Sequence, residues 1–182
     1  MKKINLFMFM CFSISMFFMN GCGYTSSSII AGDAKSICVS SFINKIDLTK
    51  EASDKRMYVG YRSGMELDIT KETIDRFILD GNLRVTSRDD ADLILQGELI
   101  DFKKEALRYD SNDSIIEFRI KAVVDIKLIN EDENKVLWEE KNFTGESTYR
   151  TTGEYAKSED AALRDAVKDL ANRIVERTVE GW

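Results

Sequence analysis

The sequence has no histidine and no proline, and it has only three cysteines among 182 residues. The absence of histidine excludes the usual general base, the usual zinc ligand and any Ser–His or Cys–His relay. The sequence also has no glycine-rich phosphate loop and no cysteine spacing typical of a zinc site. It therefore predicts a protein that is not an enzyme and that uses no cofactor.

Positive charge is also scarce. The chain has 26 Lys and Arg against 32 Asp and Glu, a net charge of −6, and no block of basic residues. Loss of a leader containing Lys2 and Lys3 would leave 24 basic residues and a net charge of −8. A protein of this charge is a poor candidate for binding nucleic acid, or for docking on anionic lipid by charge alone.

The first 21 residues have the pattern of a secretory signal. Lys2 and Lys3 precede an uncharged run of 16 residues, Ile4 to Met19, which is rich in Phe, Met and Ile. A charged start, a short apolar stretch and a small residue before the cut are typical of a signal peptide. The run is shorter than the ~20 residues of a membrane span. We therefore predict that residues 1–21 are removed on export.

Cys22 follows this segment directly. Residues 18–22, Phe-Met-Asn-Gly-Cys, resemble the lipobox of bacterial lipoproteins, whose Cys is acylated on sulfur and becomes the N-terminus. Two or more acyl chains hold a protein stably on a bilayer. Gly23 stands where the inner-membrane retention signal of enteric lipoproteins has Asp, which implies the outer membrane. The alternatives are an ordinary secretory signal with an incidental Cys, or an uncleaved anchor.

The remainder of the chain divides into a tether and a domain. Residues 22–34, rich in Ser, Thr and Gly, are predicted to be a lipidated tether, and residues 35–182 a single domain. With Cys11 in the signal and Cys22 acylated, Cys38 has no partner for an internal disulfide. We expect Cys38 to be a small buried residue in a strand, with an intermolecular bridge as the minor alternative.

Hydrophobic periodicity predicts the elements of this domain. Helical spacing predicts one helix over Met65–Asp80, with Ile69, Phe77 and Ile78 in its apolar stripe and Gly81 as its C-cap. It predicts a second helix from an N-cap at Ser158 to Gly181. The predicted strands are Lys35–Phe42, Leu83–Thr86, Leu93–Leu99, Ile116–Leu128 and Val136–Tyr149, the last with either a bulge or burial on both sides; the hydrophilic residues 103–114 contain a turn at Asp110–Asp113.

This order, β-α-β-β-β-β-α, predicts an α+β fold. A sheet with one apolar face and two one-sided helices is satisfied when both helices cover that face. We therefore predict a two-layer sandwich with a mixed four- to five-stranded sheet and two helices on one face. The opposite face is expected to meet solvent or a polar partner, because it carries the charged side chains of Glu117, Arg119, Lys121, Asp125 and Lys127.

Several other residues allow two interpretations. Asp89, Asp90 and Asp92 are expected to form a solvated turn rather than an ion site, since the Gly and distal Glu of an EF-hand loop are missing. Trp138 is either an interface anchor or, as we favour, a side chain packed between strands. Trp182 at the chain end is a second candidate anchor, and Thr144–Tyr155 is either a binding edge or a loop.

Several segments, taken in order, resemble the LptE family of lipopolysaccharide-assembly lipoproteins. Each segment is weakly specific, and their order and spacing over nearly the whole mature chain carry the resemblance. The segments are Gly21-Cys22-Gly23-Tyr24, Ile74-Asp75-Arg76-Phe77, Asp80-Gly81-Asn82-Leu83-Arg84-Val85, Ala91-Asp92-Leu93-Ile94-Leu95-Gln96-Gly97-Glu98, Val136-Leu137-Trp138-Glu139, Ile174-Val175-Glu176-Arg177 and Glu180-Gly181-Trp182.

The resemblance implies a function as well as a fold. It implies an outer-membrane lipoprotein that faces the periplasm, plugs the lumen of the LptD β-barrel, and assists barrel assembly and lipopolysaccharide delivery to the outer leaflet. Lipopolysaccharide itself is a second implied partner, through basic residues that no motif of this acidic chain identifies. The alternative is a lipoprotein of another envelope complex, of the CsgG-like secretion or LpoB-like synthase-regulator type; the partner-binding residues are unknown at this point.

Overall fold

In the computed structural model, residues 34–46 and 62–180 are described. They form a six-stranded sheet and two α-helices, joined in part by a short 3-10 turn at Arg88–Asp90. The strands are β1 Ser36–Val39, β2 Ile43–Asn44, β3 Arg84–Val85, β4 Leu93–Tyr109, β5 Ile115–Asn130 and β6 Lys135–Arg150; the helices are α1 Met65–Asp80 and α2 Glu159–Glu180.

Some of the predictions fall elsewhere in the chain. The signal peptide (1–21), Cys22 and all of the tether except Ala34 lie outside the described residues, as do Gly181 and Trp182. Within the described ranges, neither helix has the length and apolar character that would let it cross a membrane.

The sheet is mixed, as predicted. Its strand order is β3-β1-β4-β5-β6, and the two-residue β2, which was not predicted, also pairs with β4. β1 runs parallel to both β3 and β4, whereas β4, β5 and β6 form an antiparallel meander. The parallel part therefore lies at one side of the sheet, and the three long strands form the other.

The core lies between the two helices and one face of the sheet. In β5 the side chains at every second position from Ile120 to Leu128 are buried, as the alternation predicts. They belong to one cluster with side chains of both helices and of the parallel strands, including Ile37, Leu95, Leu99, Ile69, Phe77, Leu170 and Ile174. Both helices therefore cover the same face, and the predicted two-layer α+β sandwich is confirmed.

The predicted helix caps are also confirmed. Ser158 Oγ accepts the Ala161 N–H at 3.2 Å and so caps α2. Gly81 has φ 76° and donates its N–H to the Phe77 carbonyl, which ends α1 in a left-handed C-cap. The predicted stripe of α1 is wrong at Ile78, which is 61% exposed because it lies half a turn from Ile69 on the helix.

The hairpin of β4 and β5 is longer than predicted. Strand β4 continues through residues 103–109, which their hydrophilic character predicts to be a connection, and only residues 110–114 form the turn. In that turn Asp110 Oδ1 accepts the N–H groups of Asn112 and Ser114 at 2.8 and 2.9 Å. The charged residues of 103–109 form a strand because β5 pairs with them in antiparallel register, with Leu107 left unpaired at an irregularity.

The helix-facing side of this hairpin is fastened to the start of α2. Lys104 Nζ lies 4.4 Å from the centroid of the Phe118 ring and 2.5 Å from Glu159 Oε2. Tyr149 stacks on Phe118 and donates its hydroxyl to Glu159 at 3.2 Å. Burial lowers the pKa of Lys104, but its hydrogen bonds to Glu159 and Tyr149 together outweigh burial and raise that pKa. The ammonium group therefore stays charged in its aromatic surroundings.

Strand β6 contains a bulge, one of the two predicted alternatives. Two residues, Lys141 and Asn142, lie between the partners of Val124 and Ile126, and Asn142 takes φ 56°. One further residue, Leu137, is extra opposite Leu128 and Ile129. Such insertions bend a strand and increase its twist.

The outer edge of β6 is partly closed by side chains of α2. Glu146 donates its N–H to Asp169 Oδ2 at 2.9 Å, and Arg173 donates to the Thr144 carbonyl. Farther along the edge, the Arg150 carbonyl accepts the Lys157 N–H at 3.1 Å. These contacts occupy backbone positions that an edge strand would otherwise offer to another chain.

Candidate partner-binding surface

The five charged residues predicted to share one face of the sheet do so. Glu117, Arg119, Lys121, Asp125 and Lys127 alternate along β5 with the buried residues that face the helices. They therefore point to the opposite side, which we call the open face. The open face divides into two parts with different electrostatics.

The distal half of the open face comprises residues 101–108 of β4, 117–121 of β5 and 146–150 of β6. Its charges are paired with one another within the chain. The ion pairs are Asp101–Lys103 at 3.0 Å, Glu105–Lys121 at 3.1 Å, Glu117–Arg108 at 3.3 Å, Glu117–Arg150 at 3.9 Å and Arg119–Glu146 at 3.9 Å. This half is therefore internally neutralised.

The other half of the open face is a cleft of about 500 Å³. Its charged lining residues are Glu98 of β4, Asp125 and Lys127 of β5, Glu139 and Lys141 of β6, and Arg88 of the 3-10 turn. Among the ion pairs of residues 34–46 and 62–180, Arg88 has one at 3.7 Å to Glu131, and the other five residues have none. Five of the six charged residues of the cleft therefore form no ion pair within the described chain, although Lys127 and Glu139, of opposite charge, are cross-strand neighbours.

Two of these charges are of the same sign and face each other. Glu98 of β4 and Asp125 of β5 are direct cross-strand partners in the antiparallel register. Like charges directly opposite each other in a sheet are destabilising. Asp125 has a structural role as well, because its Oδ1 accepts the N–H of Asn142 in the bulge at 2.8 Å. No such hydrogen bond is found for the Glu98 carboxylate in the described part of the chain.

The wall of the cleft is formed where the chain leaves β1. Ser40 donates its N–H to the Leu95 carbonyl at 2.9 Å, and the next residues move away from β4 before β2 pairs again at Glu98. Phe42 turns into the core beside Gly97, where any Cβ would overlap its ring. Its N–H donates to Thr70 Oγ1 of α1 at 2.9 Å, which fixes the excursion. Ser40 and Ser41 thereby line the cleft.

The three acidic residues before β4 differ in their surroundings. In residues 34–46 and 62–180, no group of His, Cys, Asp and Glu has the arrangement of a metal site. Asp89 and Asp90 are exposed, as expected of a solvated turn. Asp92 instead accepts hydrogen bonds from the Lys35 N–H at 2.8 Å and the Ser36 N–H at 2.9 Å, so it holds the start of β1. No pattern in the sequence indicates this role of Asp92.

The two aromatic candidates in the described residues differ in burial: Trp138 is buried and Tyr155 is exposed. Trp138 is 8% exposed, belongs to the core cluster and lies under the Arg177 guanidinium at 5.1 Å, which confirms the packing interpretation. Of the Thr144–Tyr155 segment, residues up to Arg150 belong to β6, and Tyr155 in the following turn is largely exposed.

Cys38 lies in β1, as predicted, but it is half-buried rather than fully buried, and it forms no disulfide within residues 34–46 and 62–180. Burial raises the pKa of its thiol. The positive charge of the nearby Arg88 acts in the opposite direction but is the smaller effect. A raised pKa makes this thiol a weak nucleophile at neutral pH.

Two helices on one face of a mixed sheet, with a charged open face opposite, define a two-layer α+β domain. The family model of LptE, described as lipopolysaccharide-assembly, matches residues 35–178. Because the match covers most of the chain, this protein belongs to the LptE family. Comparison of the sequence with curated proteins gives no match.

Two solved structures show the same fold at low sequence identity. Protein XCC0632 from Xanthomonas campestris is similar with a TM-score of 0.53 and 12% identity, over 81% of this chain and 85% of that one. Hypothetical protein CT253 from Chlamydia trachomatis has a TM-score of 0.52 and 12% identity, over 81% of this chain and 96% of that one. A minor lipoprotein from Acinetobacter baumannii has a TM-score of 0.47 and 13% identity, over 81% of this chain and 94% of that one.

Proposed function

We propose that this chain is an outer-membrane lipoprotein that acts as plug and assembly partner of an LptD-type β-barrel. In this role it assists the transport of lipopolysaccharide to the outer leaflet and catalyses no reaction. The match of residues 35–178 to the lipopolysaccharide-assembly family carries the proposal. Lipopolysaccharide is the cargo of the proposed complex, and no residue of this chain is assigned to bind it.

The anchor is proposed to be an acylated Cys22 on the periplasmic side of the outer membrane. Lys2, Lys3, the uncharged run to Met19 and the Gly21-Cys22 pair support it. The 13 residues from Cys22 to Ala34 can span at most about 45 Å when extended. The domain can therefore reach a partner embedded in the same membrane without leaving its anchor.

The open face suits a polar partner. The lumen of an outer-membrane barrel is polar, in contrast to its lipid-facing exterior. A plug in such a lumen needs a surface that forms hydrogen bonds and ion pairs rather than one that buries apolar area. The open face has this character, since its β5 row carries Glu117, Arg119, Lys121, Asp125 and Lys127.

The proposal is tested by co-purification from the native envelope. The full-length chain, with a C-terminal affinity tag, is expressed in its own organism and extracted in mild detergent. We expect the LptD-type barrel to be recovered with it, and not with an equally tagged unrelated outer-membrane lipoprotein. Recovery of a cell-wall synthase or a secretion pore in place of the barrel would contradict the proposal and favour the other envelope complexes.

A further inference from the structure

We infer that the cleft, and not the distal half of the open face, is the docking site for a lumen-facing segment of the partner barrel. This inference rests on the proposed function and deepens it, because it assigns the contact to one half of one face. The occupant is a polypeptide segment that brings a Lys or Arg to the Glu98–Asp125 pair and carboxylates to Lys127 and Lys141.

The two halves of the open face differ in how many of their charged side chains form ion pairs. In the part of the chain that the structure describes, five ion pairs lie in the distal half, where a partner would compete with contacts the chain already makes, whereas the cleft residues have one, between Arg88 and Glu131. In the cleft, Lys127, Glu139 and Lys141 form no ion pair among the described residues, although Lys127 and Glu139 lie directly opposite each other in the register of β5 and β6. Complementary charges of a partner can therefore pair with them without breaking an ion pair.

Glu98 lies directly opposite Asp125 on the neighbouring strand. The isolated domain keeps two carboxylates side by side in the sheet, an arrangement that lowers its stability. Two like charges placed side by side at a cost in stability are an arrangement expected at a functional site. A cation from the partner, placed between the two carboxylates, would turn the repulsion into two attractive interactions.

The walls and the mixed charges of the cleft favour a polypeptide over a phosphate-bearing ligand. The cleft is bounded on one side by the Ser40–Ser41 excursion and on the other by β6, whose bulge at Lys141 lines it. A phosphate-bearing headgroup would suit Lys127 and Lys141 but would be repelled by Glu98, Asp125 and Glu139. A protein segment with side chains of both signs complements all of them.

Charge reversal in the two halves tests the inference. In the tagged full-length chain, Lys127→Glu with Lys141→Glu alters the cleft, and Lys103→Glu with Lys121→Glu is the matched control on the same face. Both pairs change the net charge equally. We expect the cleft pair to lower recovery of the barrel about tenfold and the control pair to leave it within about twofold.

The outcomes separate the two proposals. If the unaltered chain recovers no barrel, the proposed function and this inference both fail. If it recovers the barrel, but the two variant pairs behave alike or only the distal pair lowers recovery, the inference fails and the proposed function stands.

A second pair of variants guards against loss of folding. Glu98→Gln removes the repulsion from Asp125, so the urea midpoint of the purified domain should stay the same or rise while recovery of the barrel falls several-fold. Glu105→Gln, on the same strand and face but paired with Lys121, should not lower recovery. Full recovery of the barrel by Glu98→Gln would overturn the role of the acidic pair and with it the proposed occupant.

Discussion

Ser36 and Asp92 exchange hydrogen bonds across 56 positions of sequence. The Ser36 hydroxyl donates to Asp92 Oδ2 at 2.8 Å, and the Asp92 N–H donates to Ser36 Oγ at 3.0 Å. The same carboxylate oxygen accepts the N–H groups of Lys35 and Ser36. The backbone hydrogen bond from Lys35, followed by those from Ser36, lowers the pKa of Asp92. The pair therefore joins the start of β1 to the residue before β4.

Replacement of Asp92 by Asn should lower the free energy of unfolding by about 1–2 kcal/mol at pH 7, because one amide oxygen replaces a charged acceptor. The folded pKa of Asp92 lies below its ordinary value of 3.8, so its stabilisation is complete above that value. It is lost as the pH falls through the folded pKa.

Urea denaturation of both proteins between pH 7 and pH 3 measures this effect. The difference between them should stay constant down to about pH 4 and shrink below it. A difference that does not depend on pH would show that the charge of Asp92 is not responsible.

Gly145 sets the distance between β6 and α2. A Cβ at this position would overlap Leu170, including its backbone N and Cα atoms, which cannot move without the helix. Gly145→Ala should therefore lower the free energy of unfolding by roughly 1–3 kcal/mol. The exposed Thr148→Ala on the same strand should change it by no more than about 0.5 kcal/mol. Equal urea midpoints for the two variants would contradict the close approach.

Lys104 and Lys103 are neighbours in β4 that face opposite sides of the sheet. Lys104→Met should destabilise the domain by about 1 kcal/mol, because Glu159 and Tyr149 lose a charged partner and Phe118 loses its cation. Lys103→Met removes an exposed ion pair with Asp101 and should change stability by less than about 0.5 kcal/mol. Thermal denaturation compares them; a larger loss in Lys103→Met would refute this assignment.

The proposed anchor predicts the behaviour of Cys22→Ser. The variant should accumulate as an unprocessed precursor or leave the membrane fraction, because no sulfur remains to be acylated. Fractionation followed by mass measurement of the mature chain distinguishes the outcomes. A variant with the fractionation and mass of the unaltered protein, apart from the substitution, would rule out lipidation at Cys22.

Periodicity was sufficient for most of the fold. The alternation from Ile116 to Leu128 predicts a strand whose helix-facing side is the buried one from Ile120 onward, and helical spacing predicts the helix that follows Ser158. It failed for residues 103–109 because charged side chains on both faces hide the period, and only the pairing with β5 makes them a strand. The two-residue β2 depends on contact with β4 and has no local signal.

The site was predictable only in part. The charged row on β5 follows from alternation alone, so the open face was located from the sequence. The division of that face into a paired half and a cleft was not, because it depends on which strands lie side by side. Glu98 and Asp125 are 27 residues apart in the sequence, and only the register of β4 with β5 brings them together.

The contacts of α2 with the edge of β6 limit how this strand could pair with the strands of a neighbouring β-barrel. An unfinished β-barrel exposes open seams that accept any strand with free backbone groups. Asp169 and Arg173 already occupy the Glu146 N–H and the Thr144 carbonyl, so this stretch of β6 has little left to offer such a seam. In the complex that we propose, this stretch of β6 would therefore not join the barrel sheet as a further strand.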